Sequence, residues 1–252
     1  MRRLVLPFDA YQLSLSEYYT VSAAQDRLIR SCMGNLGHEW APVDRPSNAD
    51  DSKNRRRYGV IETTVAERFG YHAPEKLLNP YQVAQREEQR EAALSPDARK
   101  VALDPTHGCS IKSYRRLLRG ADADYRRLNK LDAKDFKSAQ TAPVMREALK
   151  SWSTCMRGKS YDYATPDEAI EDPRWWKDPR ASASEKEIAT AKTDVQCKRR
   201  TKLIRTWFAT EKALEKKTLR QHEQYFHELA AAKQRQLRAA HAILADHGGA
   251  GQ

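Results

Sequence analysis

In the stretch "THGCS", His107 stands two residues before Cys109, and this pair is the chain's best-placed candidate for nucleophilic chemistry. A thiolate is favoured at a helix N-terminus, and a nearby imidazole can accept the thiol proton. The pattern places Cys109 where a loop becomes a helix, so a thiol-dependent enzyme using Cys109 and His107 is one reading. Against it, no protease-like signature surrounds the cysteine, and a disulfide there would consume the thiol.

Other reactive patterns are weaker. His222 and His227 are five residues apart, not the four that stack two ligands on one helix face, and neither a Glu-x-x-His nor a Cys-x-x-Cys pattern occurs with them. No glycine-rich phosphate loop or nucleophile elbow is present. No catalytic residue, metal site or cofactor is therefore assigned. The cations of "RRRY" (Arg55, Arg56 and Arg57), with the basic pairs in "SYRRLLRG", "DYRRLN" and "CKRRTK", could meet phosphates. The adjacent Trp175 and Trp176 of "DPRWWKDP" must point in different directions, which leaves one available to a ligand or to a staple between helices. Trp175, Trp176, Arg55, Arg56, Arg57 and His107 are the candidate contact residues.

The elements that must carry these residues are helical. Charged residues make up 31% of the 252 positions, with only 10 Gly and 11 Pro, a composition typical of all-α proteins. "SLSEYYTVSAAQDRLIRSCMGNLG" opens on Ser14 and Glu17 at capping-box spacing and stops at Gly37. Pro80 and Pro96 follow Asn79 and Ser95 as first-turn prolines, "TPDEAIED" forms another box with Pro166, and Ser184 with Glu187 a further one. Between Arg180 and His247 there is neither Gly nor Pro, so a long helix is expected over about 185–246. Some 60 helical residues would run roughly 90 Å, about twice the diameter of a compact body of this length. Its first part should pack on Ile188, Val195, Ile204, Trp207, Phe208 and Leu214, and its second, with Phe226, Leu229, Leu237 and Leu244, should be more exposed.

Lys and Arg total 45 against 34 Asp and Glu, a net charge of +11. That balance favours anionic partners, but acids are interleaved throughout, as on a solvated surface. No run approaches the 18 apolar residues of a membrane span, and "MRRLVLPFDAY" is interrupted by Pro7 and Asp9, so no signal peptide is visible.

Four cysteines lie far apart, a pattern that fits two structural disulfides and an oxidising compartment. Two of them sit in a repeated phrase. "SCMGNLGHEW" (31–40) and "TCMRGKSYDY" (154–163) share a hydroxyl residue, Cys, Met, three variable positions, Gly or Ser, a ring, an acid and an aromatic. Cys32 lies on a stripe with Val21, Ala24 and Leu28, and Cys155 on one with Val144, Ala148 and Trp152. Each phrase is followed by one further cysteine, so the simplest pairing is Cys32–Cys109 and Cys155–Cys197, one of three connectivities open to four cysteines. The phrase then describes a stapled helix end, with Gly37 or Ser160 letting the chain turn away.

"RRYGV", "FGYHAPE", "SPDARKVAL", "HGCS", "WSTCMRGKSYDYATPDEA" and "ASEKEIATAKTDVQCKRRTKLIRTWFATE" resemble a group of exported and lipoprotein-like proteins of filamentous actinobacteria of the Streptomyces type. The resemblance runs from about residue 5 to 245 and implies an extracytoplasmic location and disulfides rather than an activity. The expectation is an all-α, irregular helical bundle with two disulfides and a long C-terminal helix. Its N-terminal unit would be 1–120 and its C-terminal unit 121–252, packed as one body. Functionally it would be a non-catalytic extracytoplasmic binding or scaffold protein whose partner is a protein or an anionic envelope polymer. A cytosolic basic helical nucleic-acid-binding protein is the alternative, with the thiol enzyme third.

Overall fold

A computed structural model describes residues 4–46, 53–73, 79–178 and 182–246, and among these the chain is helical without a strand. A 3-10 turn over Pro7–Tyr11 precedes α1 (Leu15–Gly34), α2 (Thr63–Phe69), α3 (Asn79–Ala92), α4 (Pro96–Leu103), α5 (Cys109–Leu117) and α6 (Tyr125–Thr141). Then come α7 (Pro143–Arg157), α8 (Pro166–Ile170), α9 (Glu185–Arg200), α10 (Leu203–Gln221) and α11 (Glu223–Ala245). No helix of the described residues is long and apolar enough to cross a membrane.

The helix starts follow their capping chemistry. Ser14 accepts from the Glu17 N–H, and the Glu17 carboxylate accepts from the Ser14 N–H at 2.7 Å, so two otherwise orphaned donors are satisfied reciprocally. Ser95 and Thr165 cap α4 and α8, each with a proline in the first turn. Ser184 caps α9 through the Glu187 N–H, but the Glu187 side chain turns inward instead of closing the box.

The chain divides into two compact units, each assembled from three separate stretches. One comprises residues up to Phe8, the segment 53–73 and Arg126–Gln221; the other comprises Asp9–46, 79–Tyr125 and His222–246. This division differs from the boundary expected at residue 120. The first unit takes its segment 53–73 from the N-terminal half, and the second takes α11 from the C-terminal half.

In the first unit α7, α9 and α10 pack on one another, with α2 and α8 laid against α9. Its core holds Trp152, Met145, Met156, Val195, Leu203, Ile204 and Trp207. Val144, read from sequence onto the α7 stripe, is exposed, and its neighbour Met145 takes the core position. In the second unit α1 packs against α5 and α11, around one cluster of Ile29, Met33, Trp40, Ala98 and Ala102 and another of Val21, Ala24, Leu117, Leu237 and Ala240.

Each unit contains one copy of the repeated phrase, and both copies form the same joint. In α1 the N–H of His38 donates to the Met33 carbonyl at 2.9 Å; in α7 the N–H of Tyr161 donates to the Met156 carbonyl at 3.1 Å. The residue before each donor is left-handed, Gly37 at φ 78° and Ser160 at φ 65°. This six-to-one bond over a left-handed residue is a Schellman-type helix end. Both methionines are fully buried, and the closing aromatics Trp40 and Tyr163 are buried beside them. Disulfides join Cys32 to Cys109 and Cys155 to Cys197, which leaves no free cysteine.

The continuous helix expected over about 185–246 is instead three helices. The first break falls at Thr201 and Lys202, where Lys202 is left-handed at φ 57°. For a non-glycine residue that conformation costs about 1–2 kcal/mol. The disulfide at Cys197 anchors the preceding turn, and burial of Leu203 and Ile204 rewards the change of direction. The second break is at His222, whose backbone (φ −128°, ψ 36°) is not helical. Nor is the last part exposed: Tyr225, Phe226, Leu229, Ala232, Leu237 and Ala240 of α11 are all buried.

The joint makes opposite predictions for its two copies. Gly37→Ser meets no steric obstacle within 4 Å, so it should lower stability by only the left-handed penalty of about 1 kcal/mol, whereas Ser160→Gly should raise it by a few tenths to about 1 kcal/mol. Replacing Cys155 and Cys197 together by Ser should cost about 4 kcal/mol on the chain-entropy account. Urea unfolding monitored by circular dichroism measures all three.

Candidate functional site

Helices α9 and α10 carry four carboxylates into the first unit: Glu187, Asp194, Glu211 and Glu215, none more than 1% exposed. Carboxylates buried to this degree need partners, and the segment 53–73 supplies most of them. Glu187 accepts the Tyr71 N–H at 2.7 Å and pairs with His72 Nδ1 at 2.8 Å. The approach is close enough that a Cβ on Gly70, itself at φ 55°, would fall 2.4 Å from Glu187 Oε1. Asp194 accepts from Trp152 Nε1 at 3.0 Å and from Lys198 Nζ at 2.9 Å, and Lys198 also donates to the Val60 carbonyl. Burial pushes the Asp194 carboxyl up, against the opposing pull of Lys198.

The third cluster has the most unusual charge balance. Arg57 donates through Nη2 to Asp132 Oδ1 on α6 at 2.6 Å and through Nε to Glu211 Oε1 at 2.7 Å. Burial lowers the Arg57 pKa, but the hydrogen bonds to Glu211 and Asp132 outweigh it and hold the guanidinium above its usual value. The Tyr58 hydroxyl donates to the other Glu211 oxygen at 2.6 Å, and burial together with this bond raises the phenol. Glu215 accepts the Phe8 N–H at Oε2, 2.8 Å away, while its Oε1 is buried without a partner among the described residues. One oxygen from each of Asp132, Glu211 and Glu215 lies within 4.8 Å of the others. Three carboxylates thus face one guanidinium. Burial, with repulsion from Glu211 and Asp132 and despite the Phe8 N–H, pushes the Glu215 carboxyl up to about 8.

In the second unit Asp26 joins two arginines. It accepts from Arg45 Nη1 at 2.7 Å, Arg90 Nη1 at 2.9 Å and Trp40 Nε1 at 3.1 Å. Arg45 also pairs with Glu87, and the Arg90 guanidinium lies 4.1 Å from the centre of the Trp40 ring. With two acids against two bases, this network is electrically closed. Beside it lies a cleft of about 510 Å³ lined by Tyr19, Thr20, Ala23, Val43, Arg45 and Leu244.

The contact residues expected from sequence do not form one site. His107 is exposed beside Thr106. Cys109, at the first turn of α5 as expected, has its sulfur in the bond to Cys32, so the nucleophile of the thiol-enzyme reading is consumed. Arg55 pairs with Glu62 on the surface, Arg56 donates to the Tyr71 and His72 carbonyls, and Arg57 is drawn into the acidic cluster. Trp175 is buried and donates to the Ala169 carbonyl; Trp176 is 41% exposed and packs on the His72 ring at 4.6 Å. Arg56 and Trp176 both contact His72, the one at its carbonyl and the other at its ring. His222 stands at the N-cap position of α11 while His227 lies exposed on the helix, so nothing among the described residues pairs them as ligands.

Asp132, Glu211 and Glu215 are the residues that sequence reasoning missed. A signal was available, because Glu211 and Glu215 lie four and eight residues after Trp207 on the core face of α10. Comparison with protein-family models, with curated proteins and with solved structures finds no match.

Two outcomes test these assignments. Lys198→Met should lower stability by about 3–5 kcal/mol by stranding the Asp194 charge, and adding Asp194→Asn should recover part of that loss in urea unfolding. For Glu215, the folded pKa of about 8 lies above the ordinary 4.5. Between the two values the folded chain keeps a proton that the unfolded chain releases, so this group makes stability fall as pH rises through that window. Glu215→Gln should remove the slope. In chelator-treated protein its melting temperature relative to wild type should climb from about pH 5 to about pH 8 and then level off.

Proposed function

We propose that the chain is a non-catalytic binding or scaffold protein of an extracytoplasmic compartment. The observation that carries this reading is the pairing of all four cysteines, one disulfide in each unit. Such bonds persist where thiols are not continuously reduced. The resemblance to exported actinobacterial proteins points to the same compartment. Support for a binding rather than a catalytic role comes from the buried ionisable groups. Glu187, Asp194, Glu211 and Asp26 are each held by two or more partners, as fasteners are, and His107 has lost its thiol. A protein or an anionic envelope polymer is the partner favoured by the charge of +11.

The nucleic-acid reading loses its strongest motif in the same structure. Of "RRRY", Arg57 and Tyr58 face Glu211, and Arg56 is committed to backbone carbonyls. Phosphate contacts need cations free to reach a nucleic-acid backbone.

The test is to block thiols in intact native cells, denature without reductant, and take the intact mass of the chain. The expected result is no adduct before reduction and four after it. Four adducts without reductant would overturn the extracytoplasmic reading.

A further inference from the structure

We propose that Asp132, Glu211 and Glu215 bind a calcium-sized divalent cation through their carboxylate oxygens. The inference rests on the first unit alone and does not depend on the compartment assigned above.

The donor set is all oxygen, which selects hard cations over zinc or copper. Calcium takes oxygens at about 2.3–2.6 Å, so two ligands on opposite sides of one ion stand up to about 5 Å apart. Three oxygens within 4.8 Å of one another can therefore share an ion of this size. Magnesium requires oxygens at about 2.0–2.1 Å in near-octahedral geometry and keeps several waters, so a cage of protein carboxylates suits calcium better. Arg57 does not close the site: Glu211 Oε1 accepts from both Nε and Nη2 of Arg57, but among the described residues Glu211 Oε2 accepts only from Tyr58 and each Asp132 oxygen accepts one bond, so both carboxylates keep an oxygen with a free lone pair.

An independent observation separates this cluster from an ordinary acidic patch. Glu215 is fully buried, and its Oε1 is without a partner among the described residues although its Oε2 is held by the Phe8 N–H. A buried carboxylate oxygen left unpaired is costly, and a cation at the centre of the three carboxylates would satisfy it. Charge points the same way: once Glu215 gives up its proton as the ion enters, three carboxylates face one guanidinium, and a dication brings the group to neutrality. Asp132 leaves 28% of its side chain exposed and gives the ion a route from solvent. Waters entering there can complete the six to eight ligands that calcium takes. The other buried clusters lack these features. Asp194 has its own lysine, Glu187 a histidine and a backbone donor, and Asp26 two arginines.

The neighbouring rings provide a local readout. Tyr58 bonds Glu211, and the Trp207 ring lies 5.1 Å from that of Tyr58, so a terbium ion in the site should be sensitised by light absorbed at these residues. Terbium should give strong sensitised emission that calcium displaces, with an affinity in the range of about 10⁻⁵ to 10⁻³ M. Glu215→Gln and Asp132→Asn should each weaken calcium at least tenfold, while Glu62→Gln on the surface should leave it unchanged. Near-ultraviolet circular dichroism verifies that each variant is folded. Two results would overturn the proposal: no calcium-dependent displacement or rise in melting temperature at about 10 mM calcium at matched ionic strength, or equal affinity in folded Glu215→Gln and wild type.

Discussion

The bond from Cys155 to Cys197 ties the last turn of α7 to the last turn of α9, and the bond from Cys32 to Cys109 ties the last turn of α1 to the first turn of α5. In each unit the cross-link sits where a helix must stop. A methionine is buried one residue after the bonded cysteine, and a left-handed residue four positions after the methionine carries the chain away. In the first unit this geometry brings Trp152, three residues before Cys155, to Asp194, three residues before Cys197. The buried Asp194–Lys198 pair then lies against the backbone of Val60. The covalent joint therefore determines where the polar interior of the unit begins.

That interior does more to specify than to stabilise. Replacing a buried ion pair with apolar side chains is often neutral or stabilising, whereas removing one partner is severe. The contacts of Glu187 with Tyr71 and His72, of Lys198 with Val60, and of Glu211 with Arg57 and Tyr58 hold the segment 53–73 against α9 and α10 in one register. A one-residue slip of that segment would strand a buried charge at each point. Glu215 stands apart because only one of its oxygens is answered, which makes it the place where a proton or an ion can enter the balance.

Features governed by local chemistry were legible in the sequence. The capping box at Ser14, the N-caps at Ser95, Thr165 and Ser184, the helix start at Cys109 and the helix-ending phrases depend on residues a few positions apart, and the disulfide pairing followed because each phrase has one downstream cysteine. What was hidden depends on contacts distant along the chain. The breaks at Lys202 and His222 carry neither Gly nor Pro, and the turn at Lys202 is made favourable by burial of Leu203 and Ile204 and by the anchor at Cys197. The same holds for the membership of the units, since nothing near residues 53–73 announces that Asp132 and Glu211, on helices far along the chain, will hold its Arg57 and Tyr58. Glu211 and Glu215 looked like solvated helix positions because acids usually are, although their register with Trp207 placed them on the core face.

The most direct test of this account is the connectivity of the two cross-links. Proteolysis of the unreduced protein under conditions that prevent exchange, followed by mass spectrometry of the linked peptides, should recover Cys32 joined to Cys109 and Cys155 joined to Cys197 and no other pair. A link between the two repeated phrases, or between their downstream cysteines, would contradict a fold in which each unit carries its own stapled helix end.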